Sequence, residues 1–95
     1  MAKRCVVAVR GDEVEVDLEA LESWEAFECM AAIASEEAES VAKAQAALDL
    51  AYVASGLTKD DIVGRCGGRR AKATDVIGYA LEIFRAASSK NSASS

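Results

Sequence analysis

Residues 4–19 read Arg-Cys-Val-Val-Ala-Val-Arg-Gly-Asp-Glu-Val-Glu-Val-Asp-Leu-Glu, and this stretch decides how the chain starts to fold. Apolar and charged side chains alternate on both sides of Gly11-Asp12, as they do in two half-buried strands joined by a tight turn. A two-residue turn at Gly11-Asp12 predicts that Arg10 pairs with Glu13 and, moving outward, that Arg4 pairs with Glu19. That register gives one face made only of apolar side chains, namely Cys5, Val7, Val9, Val14, Val16 and Leu18. Because an isolated hairpin is only marginally stable in water, this face must pack on the rest of the chain.

The rest of the chain carries apolar residues at the three- to four-residue spacing of amphipathic helices. We predict helices at about 20–34, 36–55, 59–66 and 71–87. The expected fold class is therefore mainly α, with an N-terminal antiparallel β-hairpin (about 4–19) packed on three to four helices. A chain of 95 residues is long enough for one modest core, and we assign residues 1–87 to a single domain. Residues 88–95 are polar and of low complexity, which predicts a disordered tail.

Signals for helix ends accompany the first two helices. Ser23 is a candidate N-cap of the first helix. Ser35, followed by two glutamates, is typical of a second helix start, because carboxylates in the first turn oppose the helix dipole. Gly56 is expected to end that helix in the left-handed conformation.

Signals for helix starts and turns also occur in the second half of the chain. Thr58 and Asp61 have the spacing of a capping box, which predicts the start of a third helix. Residues 65–70, Arg-Cys-Gly-Gly-Arg-Arg, are expected to form a flexible basic connector. Gly78 lies inside the last predicted helix, where it either weakens the helix by up to about 1 kcal/mol or makes room for a close neighbour.

The charge of the chain is negative overall and unevenly distributed. The formal net charge is −5; residues 1–40 carry 3 basic and 11 acidic side chains, and residues 41–95 carry 8 basic and 5 acidic. An acidic chain is repelled by the phosphate backbone, so nucleic acid is an unfavourable main partner. The asymmetry is compatible with two solvated surfaces or with copies that attract one another head to tail.

Residues for catalysis and for metal or cofactor binding are scarce. The chain has no histidine, which removes the most common general acid–base and the usual members of zinc sites and nucleophilic triads. Three cysteines (Cys5, Cys29 and Cys66) form no C-x-x-C pair, and without a predicted signal peptide or membrane span they are typical of a reducing cytoplasm. The glycines of residues 64–70 lack the phosphate-loop pattern. We therefore expect no enzyme activity, no cofactor, no metal and no membrane association.

The candidate functional residues are apolar and serve protein contacts. Trp24 and Phe27 lie one helical turn apart and are interpreted either as core, receiving the hairpin's valine face, or as an exposed anchor for a partner, since tryptophan is enriched at binding hot spots. The predicted partner or self-association residues are Leu21, Trp24, Phe27, Leu48 and Tyr52.

The order of these parts resembles a known family. A strand pair ending in Val14-Glu15-Val16-Asp17-Leu18 leads into Glu22-Ser23-Trp24-Glu25-Ala26-Phe27-Glu28, then into alanine- and charge-rich helices. After a glycine-containing break there follow a last helix with Ile77-Gly78-Tyr79-Ala80-Leu81-Glu82-Ile83-Phe84 and a polar tail. Over roughly residues 13–87 the chain resembles the small tail assembly chaperones of long-tailed bacteriophages.

The resemblance implies a non-catalytic protein of the host bacterial cytoplasm that binds the tape measure protein during tail assembly. It also implies a longer, frameshifted form whose extension recruits the tail tube protein. Association of the chain with itself is a separate expectation, with which the charge asymmetry is compatible. A client made of amphipathic helices requires a chaperone that has helix-binding surfaces and an acidic exterior. The family supplies no catalytic residues to this sequence.

Two other functions compete with this interpretation. One is a small helix-turn-helix-like DNA-binding regulator that uses the basic segment 65–72, with Arg65, Arg69, Arg70 and Lys72 on phosphates. Against it, Asp75 and apolar residues stand where base-reading side chains are needed. The other is an adaptor for a different protein, such as a toxin.

Overall fold

The computed structural model describes residues 4–93 and contains one antiparallel hairpin followed by four α-helices. The strands are β1 (Arg4–Val9) and β2 (Asp12–Asp17), and the helices are α1 (Trp24–Ala34), α2 (Ser40–Ser55), α3 (Lys59–Arg65) and α4 (Ala73–Ala93). Short 3-10 turns at Ala20–Glu22 and Gly68–Arg70 precede α1 and α4. The predicted fold class, an N-terminal hairpin packed on helices, is confirmed.

The core forms where the apolar face of the hairpin meets the helices. The hairpin lies on α4 and α2, and α2 is the central helix because it packs against both α1 and α4. Leu50, Ile62, Tyr79 and Ile83 are the largest helical side chains that are fully buried. The buried alanines of α2 are small enough to let its neighbours approach closely, which a dense interior requires.

The register of the hairpin differs from the prediction by two residues. Arg4 lies opposite Asp17 rather than Glu19, and Val9 lies opposite Asp12. Arg10 and Gly11 form the turn, with φ of 52° and 87°, the pattern of a type I′ turn. Because strand side chains alternate with a period of two, a shift of two residues leaves the same side chains on each face. The apolar alternation therefore predicted the correct faces and could not choose between the two registers.

The first two helices follow the predicted end signals in part. The Ser23 hydroxyl accepts a hydrogen bond from the Ala26 N–H at 3.2 Å, which confirms this residue as the N-cap of α1. Gly56 ends α2 with φ of 78°, as predicted. The predicted start of the second helix is wrong, because Ser35 is the C-cap of α1 and α2 begins at Ser40. Residues 35–39 are used to redirect the chain so that α2 packs on α1.

The second half of the fold contains more regular secondary structure than its sequence predicted. Thr58 Oγ1 accepts from the Asp61 N–H at 3.2 Å and Asp61 Oδ2 accepts from the Thr58 N–H at 3.0 Å, so the capping box is confirmed. The basic connector contains a defined 3-10 turn, entered through Gly67 with φ of 118°. Helix α4 extends to Ala93, beyond the predicted end at residue 87, and the last two residues of the predicted disordered tail lie outside the described residues. Within residues 4–93, no helix has the length and apolar content needed to cross a membrane.

Candidate protein-binding surfaces

Helix α1 is apolar on two opposite sides. Its inner side packs against the core through Ala26, Cys29, Met30 and Ile33. On the other side Trp24 is 69% exposed and Phe27 is 56% exposed. Their rings stack, with centroids 5.2 Å apart and planes inclined by 28°. Ala31 and Ala34 are also exposed and continue this side at helical spacing. We call the four residues Trp24, Phe27, Ala31 and Ala34 the outer face of α1.

The outer face decides between the two interpretations of the aromatic pair. The interpretation of Trp24 and Phe27 as core residues is wrong, because both side chains are exposed. The apolar face of the hairpin, which they were expected to cover, packs on α2 and α4 instead. The predicted partner residues Leu21, Trp24 and Phe27, which recur at helical spacing, are also divided between two environments. Leu21, in the 3-10 turn before α1, is buried with 8% exposure, whereas Trp24 and Phe27 in α1 point outward. Exposed aromatic side chains in contact with each other are typical of protein-binding surfaces.

A groove between α1 and α4 adjoins the outer face. Its volume is about 350 Å³, and its lining is mostly apolar. The lining residues are Met30, Ile33, Ala34, Leu81, Phe84 and Arg85. Ala34 belongs both to this α1–α4 groove and to the outer face, so the two form one continuous apolar surface. Leu81 and Phe84 lie within the predicted last helix, but the sequence did not single them out as binding residues, because the packing of the helices decides which of their sides stays uncovered.

A second apolar groove lies on the other flank of α2. We call it the α2–α3–α4 groove; it has a volume of about 330 Å³. It is lined by Ala44, Leu48, Lys59, Val63, Ala71, Ala73, Val76 and Ile77. The predicted partner residue Leu48 is half-buried here, whereas Tyr52 is 57% exposed beside α1, in a depression shared with Cys29 and Asp49. The five predicted residues therefore do not form one surface: two lie on the outer face, Tyr52 lies beside it, Leu48 lies on the opposite flank and Leu21 is buried.

The two sides of α2 also differ in charge. Residues 11–42 contain no basic side chain, and six exposed carboxylates lie on or next to α1, at Glu22, Glu25, Glu28, Glu36, Glu37 and Glu39. Among the described residues the ion pairs are Arg4–Glu15, Arg10–Asp75 and Arg10–Glu82, so none of these six carboxylates is paired. On the opposite flank, Lys59 lines the α2–α3–α4 groove, and Arg69, Arg70 and Lys72 are exposed in the segment that leads into α4.

The polar and thiol groups near the core make contacts that stabilise the fold. The Tyr79 hydroxyl donates to Asp12 Oδ2 at 3.0 Å and accepts from Arg65 Nη1 at 3.0 Å, which joins the hairpin, α3 and α4. Burial raises the pKa of the Cys29 and Cys66 thiols, which favours the protonated form over the nucleophilic thiolate. No group of three potential metal ligands occurs in the part of the chain that the structure describes.

The proposed DNA-reading helix is largely committed to packing. A recognition helix must present its N-terminal side chains to the major groove. In α4, Val76, Tyr79 and Ala80 are buried, and the Asp75 backbone carbonyl accepts a hydrogen bond from Arg10 Nη1 at 3.3 Å. Near the N-terminus of α4, the exposed basic side chains Arg69, Arg70 and Lys72 lie in the segment before the helix rather than in its first turn, where Asp75 is the charged residue.

The fold is thus a β-hairpin on four helices, with two open apolar grooves that each have one charged lining residue, Arg85 in the α1–α4 groove and Lys59 in the α2–α3–α4 groove. The chain matches no protein-family model, no curated protein and no solved structure.

Proposed function

We propose that this chain is a non-catalytic protein-binding module that receives an amphipathic helix of a client protein in the α1–α4 groove. The observation that carries the proposal is the continuous, uncovered apolar surface formed by this groove and the outer face of α1. Monomeric soluble proteins rarely leave such a surface open without a partner for it. The residue order Glu22-Ser23-Trp24-Glu25 and the helices around it support the particular role of a phage tail assembly chaperone in the host cytoplasm, with the tape measure protein as client.

The dimensions of the groove suit a helical client. The groove is lined by residues 30–34 of α1 and residues 81–85 of α4, so each wall is about one helical turn long, and the outer face extends the apolar surface along α1. A client helix lying there would bury residues at i, i+3, i+4 and i+7, the usual pattern for a helix bound in a groove. The charged lining residue of the groove is Arg85, which favours a client with an acidic residue beside its apolar stripe, while the unpaired carboxylates elsewhere on α1 oppose binding to nucleic acid.

Coexpression with the tape measure protein encoded by the same genome tests this proposal. We expect the client to stay soluble and to copurify with the chain. The variant Ala34→Arg places a long charged side chain at the edge of the groove without touching the core, and it should abolish copurification. Ala42→Arg is the matched control, because Ala42 is an exposed alanine of α2 that does not line the groove. If Ala34→Arg binds the client as well as Ala42→Arg does, the groove is not the client site.

The coding DNA supplies an independent test of the phage assignment. A slippery heptamer near the codons of Ser89-Lys90-Asn91, with an open alternative frame beyond them, would support a longer form that also recruits the tail tube protein. A closed frame on both sides would remove that support and leave a protein-binding module with another client.

DNA binding is the competing function, and the exposed Arg69, Arg70 and Lys72 are the observation in its favour. It predicts an affinity for duplex DNA that falls steeply with salt. Under our proposal, fluorescence anisotropy at low salt detects no binding to DNA. Binding that is lost in the double variant Arg69→Glu, Arg70→Glu would instead favour the regulator.

A further inference from the structure

We infer that copies of this chain associate head to tail, with Trp24 and Phe27 of one copy inserted into the α2–α3–α4 groove of the next. This inference goes beyond the proposed function. It shares the outer face of α1 with the proposed client surface, but it leaves Leu81 and Phe84 of the α1–α4 groove free, and different variants test the two proposals. The stacked aromatic pair projects from the outer face of α1 and is the largest exposed apolar feature among the described residues. Aromatic side chains of this kind provide most of the binding free energy when they enter an apolar pocket.

The receiving groove offers the apolar lining that such a pair requires. Leu48, Val63 and Ile77 lie along it, each only partly buried by its own chain. The small residues Ala44, Ala71 and Ala73 keep the groove open at about 330 Å³. Insertion of Trp24 and Phe27 would remove both the aromatic rings and these aliphatic side chains from water, which is favourable in proportion to the apolar area buried.

Charge complementarity selects a second copy as the occupant. Glu22, Glu25 and Glu28 lie beside the aromatic pair, and none of them is paired within the described chain. The receiving groove has Lys59 as its charged lining residue, and Arg69, Arg70 and Lys72 are exposed in the segment next to its lining residues Ala71 and Ala73. The exposed carboxylates of Asp60 and Asp61 follow Lys59, so the local charge is positive by two. Association of the two surfaces therefore places opposite charges around an apolar centre, an arrangement that steers encounter and fixes orientation.

The positions of the two surfaces prevent a molecule from closing the contact on itself. Helix α1 lies along the flank of α2 that carries Asp49 and Val53, whereas Ala44 and Leu48 face α3 and α4. The aromatic pair and the groove are thus on opposite flanks of α2. Each copy that joins leaves one pair and one groove free, so the contact is heterologous and builds a ring or an open chain of copies.

Two variants test the pairing directly. The pair variant Trp24→Ala, Phe27→Ala keeps the groove. The groove variant Lys59→Glu, Ala73→Glu keeps the aromatic pair and places repelling carboxylates at two exposed positions, each the first residue of its helix, where acidic side chains are well tolerated. Val6→Ala, on the outer side of the hairpin, is the matched control for loss of exposed apolar surface.

Sedimentation velocity over a range of concentrations gives the readout, with circular dichroism confirming the fold of each variant. We expect the wild type and Val6→Ala to associate increasingly with concentration and less at high salt, because salt screens the charged rims. Each double variant alone should associate at least roughly thirtyfold more weakly, the loss expected for central aromatic contacts. An equimolar mixture of the two should form a heterodimer that grows no further.

The same mixture provides the outcomes that overturn the inference. A mixture that stays monomeric while the wild type associates excludes the pair-into-groove contact. Association abolished by the pair variant but unchanged in the groove variant indicates a symmetric contact between two α1 helices instead. A wild type that is monomeric at every concentration in low salt excludes self-association, and it leaves the client test with Ala34→Arg unaffected.

Discussion

Leu21 and Trp24 are three residues apart and have opposite environments. Leu21 belongs to a 3-10 turn that ends at Glu22, and Trp24 is the first residue of α1. Between them Ser23 is extended, with ψ of 161°, so the chain leaves one helical segment and enters another with a different orientation. The i, i+3 spacing places side chains on one face only within a continuous helix. Leu21 therefore points into the core while Trp24 points to solvent.

This contrast predicts different responses to truncation. Leu21→Ala should reduce the free energy of unfolding by about 2–4 kcal/mol, because it removes a buried side chain and leaves a cavity. Trp24→Ala should reduce it by less than about 1.5 kcal/mol, since the loss is limited to the stacking contact with Phe27 and little buried area.

Urea denaturation followed by circular dichroism measures both changes. A loss at Trp24 as large as that at Leu21 would mean that the tryptophan is covered in solution, either by its own chain or by a second copy. Repeating the measurement at lower protein concentration separates these two cases, because only the second depends on concentration.

At the scale of elements, the hairpin turn is held on α4 by one arginine. Arg10 Nε donates to Glu82 Oε2 at 2.6 Å and Arg10 Nη1 donates to the Asp75 carbonyl at 3.3 Å. Gly78 lies between these acceptors along the helix, and a Cβ built there would lie 2.8 Å from Arg10 Nη2. The glycine therefore makes room for a close neighbour, one of the two roles that its position in the sequence allowed.

A double-mutant cycle tests this role. Replacing glycine by alanine inside a helix ordinarily raises stability by roughly 0.5–1 kcal/mol. Gly78→Ala should deliver that gain in an Arg10→Ala background and deliver less in the wild type, where the guanidinium must shift away from Glu82. Equal gains in both backgrounds, measured by urea denaturation, would show that Arg10 does not restrict residue 78.

The capping box of α3 makes the stability of this helix depend on pH in the acid range. Hydrogen bonds from the Thr58 backbone N–H and hydroxyl lower the pKa of the Asp61 carboxyl. Because the folded state favours the charged form, this stabilising contribution is present above the ordinary pKa of 3.8 and is lost as the pH falls through the lowered value. We expect a carboxyl titration followed by NMR to place the Asp61 midpoint below 3.8.

Thr58→Ala and Thr58→Ser are the matched variants for this titration. Alanine removes the hydroxyl and should move the Asp61 pKa toward its ordinary value, while serine keeps the hydroxyl and should preserve the shift. An Asp61 midpoint that is the same in all three proteins would contradict a role for the Thr58 side chain in the cap.

For the whole molecule, Tyr79 is the residue that joins three parts of the fold. Its ring is buried, and its hydroxyl lies between Asp12 of the hairpin and Arg65 of α3. Burial raises the pKa of the Tyr79 phenol, although its contact with Arg65 opposes this shift. The folded state therefore holds the phenol proton more tightly than the unfolded chain does.

This linkage predicts a loss of stability in alkali. The contribution is fully present below the ordinary tyrosine pKa of about 10 and is lost as the pH rises through the raised value of the folded state. Tyr79→Phe should lose about 1 kcal/mol at neutral pH, because the hydrogen bonds to Asp12 and Arg65 are removed. Its further loss of stability between about pH 9 and 11 should be smaller than that of the wild type. Identical alkaline losses in both proteins, measured by urea denaturation, would exclude Tyr79 as the group responsible.

Much of the fold was predictable because its signals are local. The alternation of residues 4–19 predicted the hairpin and its two faces, Ser23 and Gly56 marked helix ends, and Thr58 with Asp61 predicted the capping box. Each of these depends on contacts between residues close in sequence. The start of α2 and the hairpin register were wrong, because Ser35 fits either end of a helix and a period of two fits more than one pairing.

For the candidate surfaces, the sequence predicted some of the residues involved but not how these residues are arranged. The sequence by itself determined that the chain has more apolar helix surface than one hairpin can cover, and that its acidic side chains precede its basic ones. The tertiary structure alone decided that the hairpin lies on α2 and α4, so that Trp24 and Phe27 stay exposed and Leu21 does not. The physical reason is that burial depends on which elements pack together, and packing is chosen by the summed contacts of the whole chain rather than by the spacing within any one segment.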